Sequence, residues 1–224
     1  DTFSLSCNSI QTAGIPFALT ATDAQDEFEN NWEGIVSVSS SILGGNSPNG
    51  SSPILEDIEL TNGSGQADQI LVKAESGVEL KGTANGISSF VSNITVNPGS
   101  LSQLKIKDSP SDAGEEIIND TLSVGDGLDL YSVGYDGYGN FRGEEIVDWS
   151  SEGLIPQINI SDESTITFYP ETPGTGNISI QESQSGLTAY TGNITVVPGT
   201  ISYFDIGIIN TQVAGEPFSI TVTA

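Results

Sequence analysis

The chain has 224 residues, of which 36% are apolar, and it carries 30 acidic against five basic side chains, for a net charge of −25. This balance excludes nucleic acid and anionic lipid as partners, because binding to phosphates needs a basic patch. The chain has no histidine and one cysteine, which removes the Ser-His-Asp and Cys-His systems, most catalytic zinc sites and a disulfide framework. No apolar run approaches about 18 residues, so no membrane insertion is predicted.

An internal repeat divides the chain. Seven of the fifteen residues in 86–100 recur at the same places in 186–200. Each copy alternates apolar and polar residues and then stops at Pro-Gly, as expected of a closing strand followed by a short joint. The repeat therefore predicts two similar β-domains, one over 1–98 and one over 99–198, that are stacked end to end with limited freedom.

The first unit reads as a series of short strands separated by turns. Period-2 alternation predicts strands over 3–7, 13–22, 34–40, 54–60, 69–74, 78–82 and 87–96. A polar turn covers 23–28, and a loop rich in Gly, Ser, Asn and Pro covers 44–53. About seven short strands at this spacing are typical of a two-sheet sandwich.

The second unit repeats this plan with changes. Strands are predicted over 101–106, 127–133, 145–151, 158–160, 165–169, 177–181 and 187–196, with an insertion that includes 109–118. Trp149 is expected to face the core, where the first unit has Val38. The turn 136–141 takes the place of 23–28, and because Asp26 and Glu27 replace its Gly-Asn, the first unit's turn is expected to have a different shape.

The last residues, 199–224, begin a third copy. Nine residues between Phe204 and Thr221 match residues of the first unit at an ungapped offset of 201. Two strands are marginally stable in water, so two explanations stay open. The chain is a slice of a longer array, or 200–224 completes a sandwich in a neighbouring molecule by β-strand addition.

The motifs, taken together, resemble bacterial immunoglobulin-like domains that occur in tandem in invasin-type adhesins and other surface proteins. The resemblance is carried by Ala-Gly-x-Pro-Phe at 13–17 and 214–218, by Tyr-Asp-Gly-Tyr-Gly-Asn at 135–140, by Val-Asp-Trp-Ser-Ser at 147–151 and by the closing Asn-Ile-Thr-Val-x-Pro-Gly. It implies an all-β fold of tandem immunoglobulin-like sandwiches in an extracellular, cell-surface protein. It says less about function, because this sandwich hosts many roles.

Acidic turns are the candidate metal sites. Asp23, Asp26 and Glu27 crowd one turn and are the best candidates for calcium, which prefers several carboxylate and carbonyl oxygens on a bent backbone. Weaker candidates are Asp136 with Asn140, and the group Asp112, Glu115 and Glu116 in the insertion. The alternative is that these residues are turn formers on a solvated acidic surface. No cofactor is required, and calcium is the one candidate.

Asparagine sequons and tyrosines are the remaining candidate sites. Seven asparagines head Asn-x-Ser/Thr without proline, namely Asn49, Asn62, Asn93, Asn119, Asn159, Asn177 and Asn193. They indicate either N-glycosylation or a β composition rich in Ser and Thr. Tyr131, Tyr135 and Tyr138 are spaced so that at least one ring is expected to be exposed, either as part of a sugar-binding stack or as edge packing.

The sequence thus favours a non-enzymatic extracellular structural protein, the shaft of a cell-surface filament, adhesin or surface-layer assembly. Its partners would be neighbouring copies or adjacent repeats. The alternative is a binding module of a secreted protein that holds carbohydrate or protein by loops at one end of a sandwich. An enzyme is the third possibility, and paired carboxylates are the groups it would use.

Overall fold

The computed structural model describes residues 2–40, 43–201 and 203–223. The predicted all-β class is confirmed, since the described residues form strands, bridges and turns and no helix. Accordingly, this part of the chain contains no helix that could cross a membrane. Two hydrophobic cores lie between four sheets, one pair of sheets in each of two units.

Unit 1 is a sandwich of nine strands. They are β1 (Thr2–Ser6), β2 (Ile10–Thr12), β3 (Phe17–Gln25), β4 (Gly34–Ser40), β5 (Ile54–Leu55), β6 (Ile58–Leu60), β7 (Gly65–Ile70), β8 (Glu75–Ala84) and β9 (Ile87–Asn97). One sheet has the order β1-β3-β7-β5 and the other β2-β9-β8-β4-β6. Inward-facing residues such as Leu19, Val36, Ile58, Leu80 and Ile94 are fully buried between them, which is the alternation that two stacked sheets require.

Unit 2 is a sandwich of ten strands. They are β10 (Leu101–Lys107), β11 (Asp120–Ser123), β12 (Leu128–Asp136), β13 (Phe141–Glu144), β14 (Val147–Gly153), β15 (Asn159–Glu163), β16 (Thr165–Phe168), β17 (Gly174–Gln181), β18 (Thr188–Tyr190) and β19 (Ile194–Val197). In one sheet β12 pairs with β10, β13 and β16; the other has the order β11-β19-β17-β14-β15, with β18 also on β17. Trp149 is 1% exposed, so its predicted place in the core is confirmed.

Both units contain a short strand that pairs in parallel with the last strand of the unit. In unit 1, Ile10 of β2 lies opposite Thr95 of β9, and in unit 2 Asp120 of β11 lies opposite Ile194 of β19. Neither strand was among those predicted, because three or four residues are too few to show alternation. These pairings attach the segment between the first and third strands of each unit to its last strand, at the end of the sandwich where the next unit begins.

The tail hairpin consists of β20 (Asp205–Ile206) and β21 (Val222–Thr223). Its register repeats that of β1 with β3 at the offset of 201: Asp205 pairs with Thr223 as Ser4 pairs with Thr22, and Ile206 with Val222 as Leu5 with Ala21. The burial differs. Ile206 is 61% exposed, whereas its counterpart in unit 1 is 8% exposed. The hairpin therefore has the pairing of a third unit without a core to cover it among the described residues.

Candidate functional site: the joint between the two units

A five-residue loop at the start of unit 2 forms the joint. This joint loop, Asp136–Asn140, connects β12 to β13. The Asp136 carboxylate holds its shape, because Oδ1 accepts the N–H groups of Tyr138 at 2.8 Å and Asn140 at 2.9 Å. Gly139 adopts a φ of 79°, a conformation that costs glycine little. Hydrogen bonds within the loop thus hold its shape in addition to its contacts with unit 1.

Of the same two polar side chains, Asp136 binds the connection between the units and Asn140 reaches unit 1. Asp136 Oδ2 accepts the N–H of Gly99, which follows the closing strand β9, at 2.7 Å. Asn140 accepts the N–H of Ala74 at 2.8 Å and donates to the carbonyl of Val72 at 2.9 Å. Asp136 is 4% exposed and Asn140 3%. These buried polar groups have partners, as groups removed from water must, and two of the partners lie between β7 and β8 of unit 1.

Tyr138 supplies the apolar contact of the joint. Its ring packs against the core of unit 1 and covers Gly14, where a Cβ would overlap the ring. Asn49 holds the adjacent backbone: its side-chain amide donates to the Gly137 carbonyl at 3.0 Å, and its N–H to the Tyr138 carbonyl at 3.2 Å. Unit 1 therefore contributes the surface at Gly14, which we call the seat, and hydrogen bonds from Asn49 to the backbone beside the ring.

The charged groups of the joint, the Asp136 carboxylate and the Arg142 guanidinium, have hydrogen-bond partners among the described residues. Burial alone raises the pKa of Asp136, but hydrogen bonds from the side chain of Asn140 and from the backbone of Gly99, Asn140 and Tyr138 outweigh it and lower the pKa below 3.8. Arg142 donates to the Gly99 carbonyl and pairs with Glu145 at 2.8 Å. Both the N–H and the C=O of Gly99 are thereby bound by unit 2, which explains how so short a connection keeps a defined geometry.

The predicted alignment of the two acidic turns is wrong by several residues. The counterpart of Asp136–Asn140 is Asp26–Asn30, which we call the leading loop. Asp26 Oδ1 accepts the N–H groups of Phe28 and Asn30, both at 2.9 Å, and Asp26 N–H donates to the Asn30 carbonyl at 3.0 Å just as Asp136 N–H does to Asn140. Glu29, with φ 66°, stands where the joint loop has glycine. The two turns therefore have the same shape, contrary to expectation.

The calcium site at Asp23, Asp26 and Glu27 stays a prediction. Asp23 and Glu27 are exposed. Asp23 accepts a hydrogen bond from the Thr22 hydroxyl at 3.0 Å, whereas the Asp26 carboxylate is occupied by Phe28 and Asn30. In the described ranges no three or more His, Cys, Asp or Glu side chains gather as metal ligands would.

The acids of the insertion have partners of their own. Asp112 accepts the Tyr135 hydroxyl at 3.0 Å, and its backbone carbonyl accepts the ammonium of Lys107 at 2.7 Å. Glu116 forms a 2.8 Å ion pair with Lys105. Both lysine ammonium groups also lie within 6 Å of the Tyr135 ring centroid, at 5.7 and 5.5 Å. The third predicted acid, Glu115, is exposed. The insertion thus folds back on β10 through hydrogen bonds and charge pairs.

Tyr135 is expected to ionise at a higher pH than an ordinary tyrosine. Burial, the hydrogen bond donated to Asp112 and the charge of that carboxylate raise its pKa to about 12. The folded-state pKa exceeds the ordinary value of 10, so the stabilisation is complete below pH 10 and is lost as the pH rises towards 12. Ultraviolet titration of the chain and of Tyr135→Phe should differ by one phenolate that appears near pH 12. If the phenolate that the variant lacks were one that appears near pH 10 in the unsubstituted chain, this assignment would be contradicted.

The expected exposed tyrosine ring is not found. Tyr135 is buried, and Tyr131 and Tyr138 are half-buried, because Tyr131 and Tyr135 belong to a strand and Tyr138 is covered by unit 1.

Among the seven sequon asparagines, all but Asn177 are exposed. Glycosylation of these sites stays a prediction. At Asn49 a glycan would replace a hydrogen of the amide that clamps Gly137.

Neither a protein-family model nor a curated protein sequence matches the chain. Solved structures similar to it include a 282-residue C-terminal fragment of intimin in complex with the intimin-binding domain of the translocated intimin receptor, at 14% identity and a TM-score of 0.32, covering 87% of this chain and 64% of that one. The D0–D1 domain of intimin is similar at 16% identity and a TM-score of 0.27, with 87% and 97% covered.

Domains 4–9 of the surface-layer protein SbsC are similar at 14% identity and a TM-score of 0.31, with 95% of this chain and 33% of that one covered. The chain therefore spans less than two thirds of both the intimin fragment and the surface-layer structure.

Proposed function

We propose that the chain is a non-enzymatic, extracellular structural protein, the repeat shaft of a cell-surface filament, adhesin or surface-layer assembly. In this proposal the domains are 1–98 and 99–198, and 199–224 begins the next. The observation that carries it is the joint, where the buried Asn140 binds the backbone of the preceding unit and the buried Asp136 binds the connecting Gly99. A contact of this kind holds two sandwiches in one orientation, which is what a shaft needs and what independent modules on a flexible linker lack.

The acidic composition also supports this role. With 30 acidic side chains against five basic ones, the surface repels itself, which keeps an extended protein soluble and discourages lateral aggregation. The shaft's partners would then be adjacent repeats in the same chain or neighbouring copies reached by strand addition through 200–224. Exposed apolar side chains on the tail hairpin and beside it, such as Ile206 and Phe204, support the need for such a partner.

Electron microscopy and ligand binding test this function together. The native assembly should appear as rods or fibres in negative stain, and the purified chain should bind no glycan on an array, because a shaft offers no ligand site. A chain that lacks 200–224 should fail to associate if this segment donates strands, and should associate as before if it does not. A discrete particle that retains a glycan or a protein would instead establish the binding module and overturn the shaft.

A further inference from the structure

Unit 1 presents a second loop of the joint type at its opposite end. The leading loop has the hydrogen bonds of the joint loop, and Phe28 occupies the position of Tyr138. The two aromatic rings differ in environment. Phe28 is 75% exposed, whereas Tyr138 is half-buried against unit 1. Ile87 lies beside Phe28 in an open concavity that Asp26 and Glu27 complete. A preformed loop thus carries an aromatic ring that nothing covers among the described residues.

The far end of unit 2 has a glycine, Gly125, in the same setting as Gly14, the seat of the Tyr138 ring in unit 1. Gly14 N–H donates to the Leu71 carbonyl at 2.8 Å, and Gly125 N–H donates to the Pro170 carbonyl at 2.9 Å. Both glycines have positive φ, 79° and 89°. The Tyr138 ring fills the space above Gly14, whereas a Cβ on Gly125 would meet nothing within 4 Å. The seat is therefore present in unit 2 and open.

The glycine that follows each closing strand has the same surroundings in both units. A Cβ on Gly99 would lie 3.1 Å from the Ala13 carbonyl oxygen, and a Cβ on Gly199 would lie 3.3 Å from that of Val124. In the observed joint, Gly99 N–H is the donor to Asp136. Gly199 N–H is thus placed to be the corresponding donor to a carboxylate at the far end of unit 2.

The tail hairpin identifies the kind of unit that follows unit 2. Its pairing repeats the β1–β3 register at an ungapped offset of 201 residues. The segment after Gly199 is therefore the beginning of a unit-1-type sandwich. In a unit of that type, the loop that faces backwards towards unit 2 is the leading loop with Phe28, and not the Tyr138 loop.

We propose that the leading loop of one copy of the two-unit repeat docks on the far end of unit 2 in the preceding copy. Phe28 covers Gly125, and the Asp26 carboxylate accepts the Gly199 N–H. The inference rests on the proposed shaft and deepens it, because it names both faces of the second joint. Such a head-to-tail contact is heterologous, and it extends a fibre when its rotation does not close a ring.

The two joints differ in at least one hydrogen bond. In the observed joint, Ala74 N–H donates to Asn140. The counterpart of Ala74 in unit 2 is Pro173. Each residue precedes the one that pairs with the last strand of its unit, Glu75 with Val96 and Gly174 with Val196. Proline has no N–H, so Asn30 lacks this donor. The second joint is therefore the weaker one, and stiff and softer joints alternate along the repeat.

A tandem fusion tests the docking. Residues 1–201 are followed directly by residues 1–224, so that the second copy continues the 201-residue period without a gap. Amide hydrogen exchange is measured at Gly199 of the first copy. Exchange should slow by about tenfold or more in the fusion relative to the single chain, because a charge-assisted hydrogen bond protects the amide.

The matched control uses one substitution at two places. Asp26→Ala in the second copy should restore fast exchange at Gly199, whereas Asp26→Ala in the first copy should leave it slow. Slow exchange that survives the substitution in the second copy, or fast exchange in the unsubstituted fusion, overturns the docking. Gly99 separates this result from the shaft itself: if Gly99 also exchanges fast, the proposed rigid joint fails as well.

Discussion

Trp149→Ala is expected to lower the free energy of unfolding of unit 2 by about 3–5 kcal/mol, the range for truncating a buried aromatic side chain. Trp149 lies on β14, opposite Ile180 of β17 and Ile160 of β15, and is 1% exposed. Its indole N–H donates to the Glu163 carbonyl at 2.9 Å. The substitution thus leaves a cavity and an unpaired carbonyl together.

Urea unfolding followed by fluorescence and circular dichroism measures this loss. The chain has two tryptophans, so the variant retains Trp32 as a fluorescent reporter of unit 1. Only the unit 2 transition should shift to lower urea. Trp149→Phe is the control for volume, since it loses the hydrogen bond and only part of the ring volume, and its shift should be clearly smaller. Equal shifts for both variants, or a shift in unit 1, would contradict this account of the core.

The strands that the sequence predicts best are those with long alternation and a clear stop. The range 34–40 is the observed β4, and the predicted 87–96 is almost the whole of β9 (Ile87–Asn97). In unit 2 the corresponding 187–196 is divided into β18 and β19. The physical reason lies outside the segment: Gly192 packs against the backbone carbonyl of Ile118 in the insertion, and no local pattern encodes that contact.

Polar residues in a core mislead alternation. The sequence predicts a strand over 69–74, whereas β7 covers Gly65–Ile70. Gln69 is 0% exposed, because its amide accepts the Glu56 N–H and donates to the Glu56 carbonyl, both at 2.9 Å. A buried side chain that takes the role of a neighbouring strand is tolerated when its hydrogen bonds are made. Its polarity nevertheless hides the strand from a pattern of apolar residues.

The joint was only half predictable. The repeat and the Pro-Gly ending predict a short connection after residue 98, and the sequence marks Asp136 and Asn140 as a weaker calcium candidate or, alternatively, as turn formers. Their binding to unit 1 depends on residues distant in sequence, such as Ala74 and Asn49. One signal was available: both units contain Asp-x-aromatic-x-Asn, at 26–30 and 136–140. It was obscured because Glu27 and Glu29 stand where the joint loop has glycines.

Asp136→Ala is expected to lower stability by about 3 kcal/mol near neutral pH, since buried hydrogen bonds to a charged group are lost together. Its carboxylate accepts N–H groups from Gly99, Tyr138 and Asn140 as well as the Asn140 amide. The joint should also loosen. Backbone ¹⁵N relaxation should give one rotational correlation time for both units in the unsubstituted chain and two different times in the variant.

The pH dependence and a matched loop identify the cause. The pKa of Asp136 in the folded chain is below 3.8, so its stabilising effect is present above that value and disappears as the pH falls through the folded-state pKa. The difference in unfolding free energy between Asp136→Ala and the unsubstituted chain should therefore shrink as the pH falls below 3.8. Asp26→Ala removes the same carboxylate from a loop without a neighbour, so the two units should still tumble together and the loss of stability should be smaller. If both substitutions loosened the joint equally, or neither did, Asp136 would be a turn former alone, and the stiffness of the shaft would have to come from the Tyr138 ring.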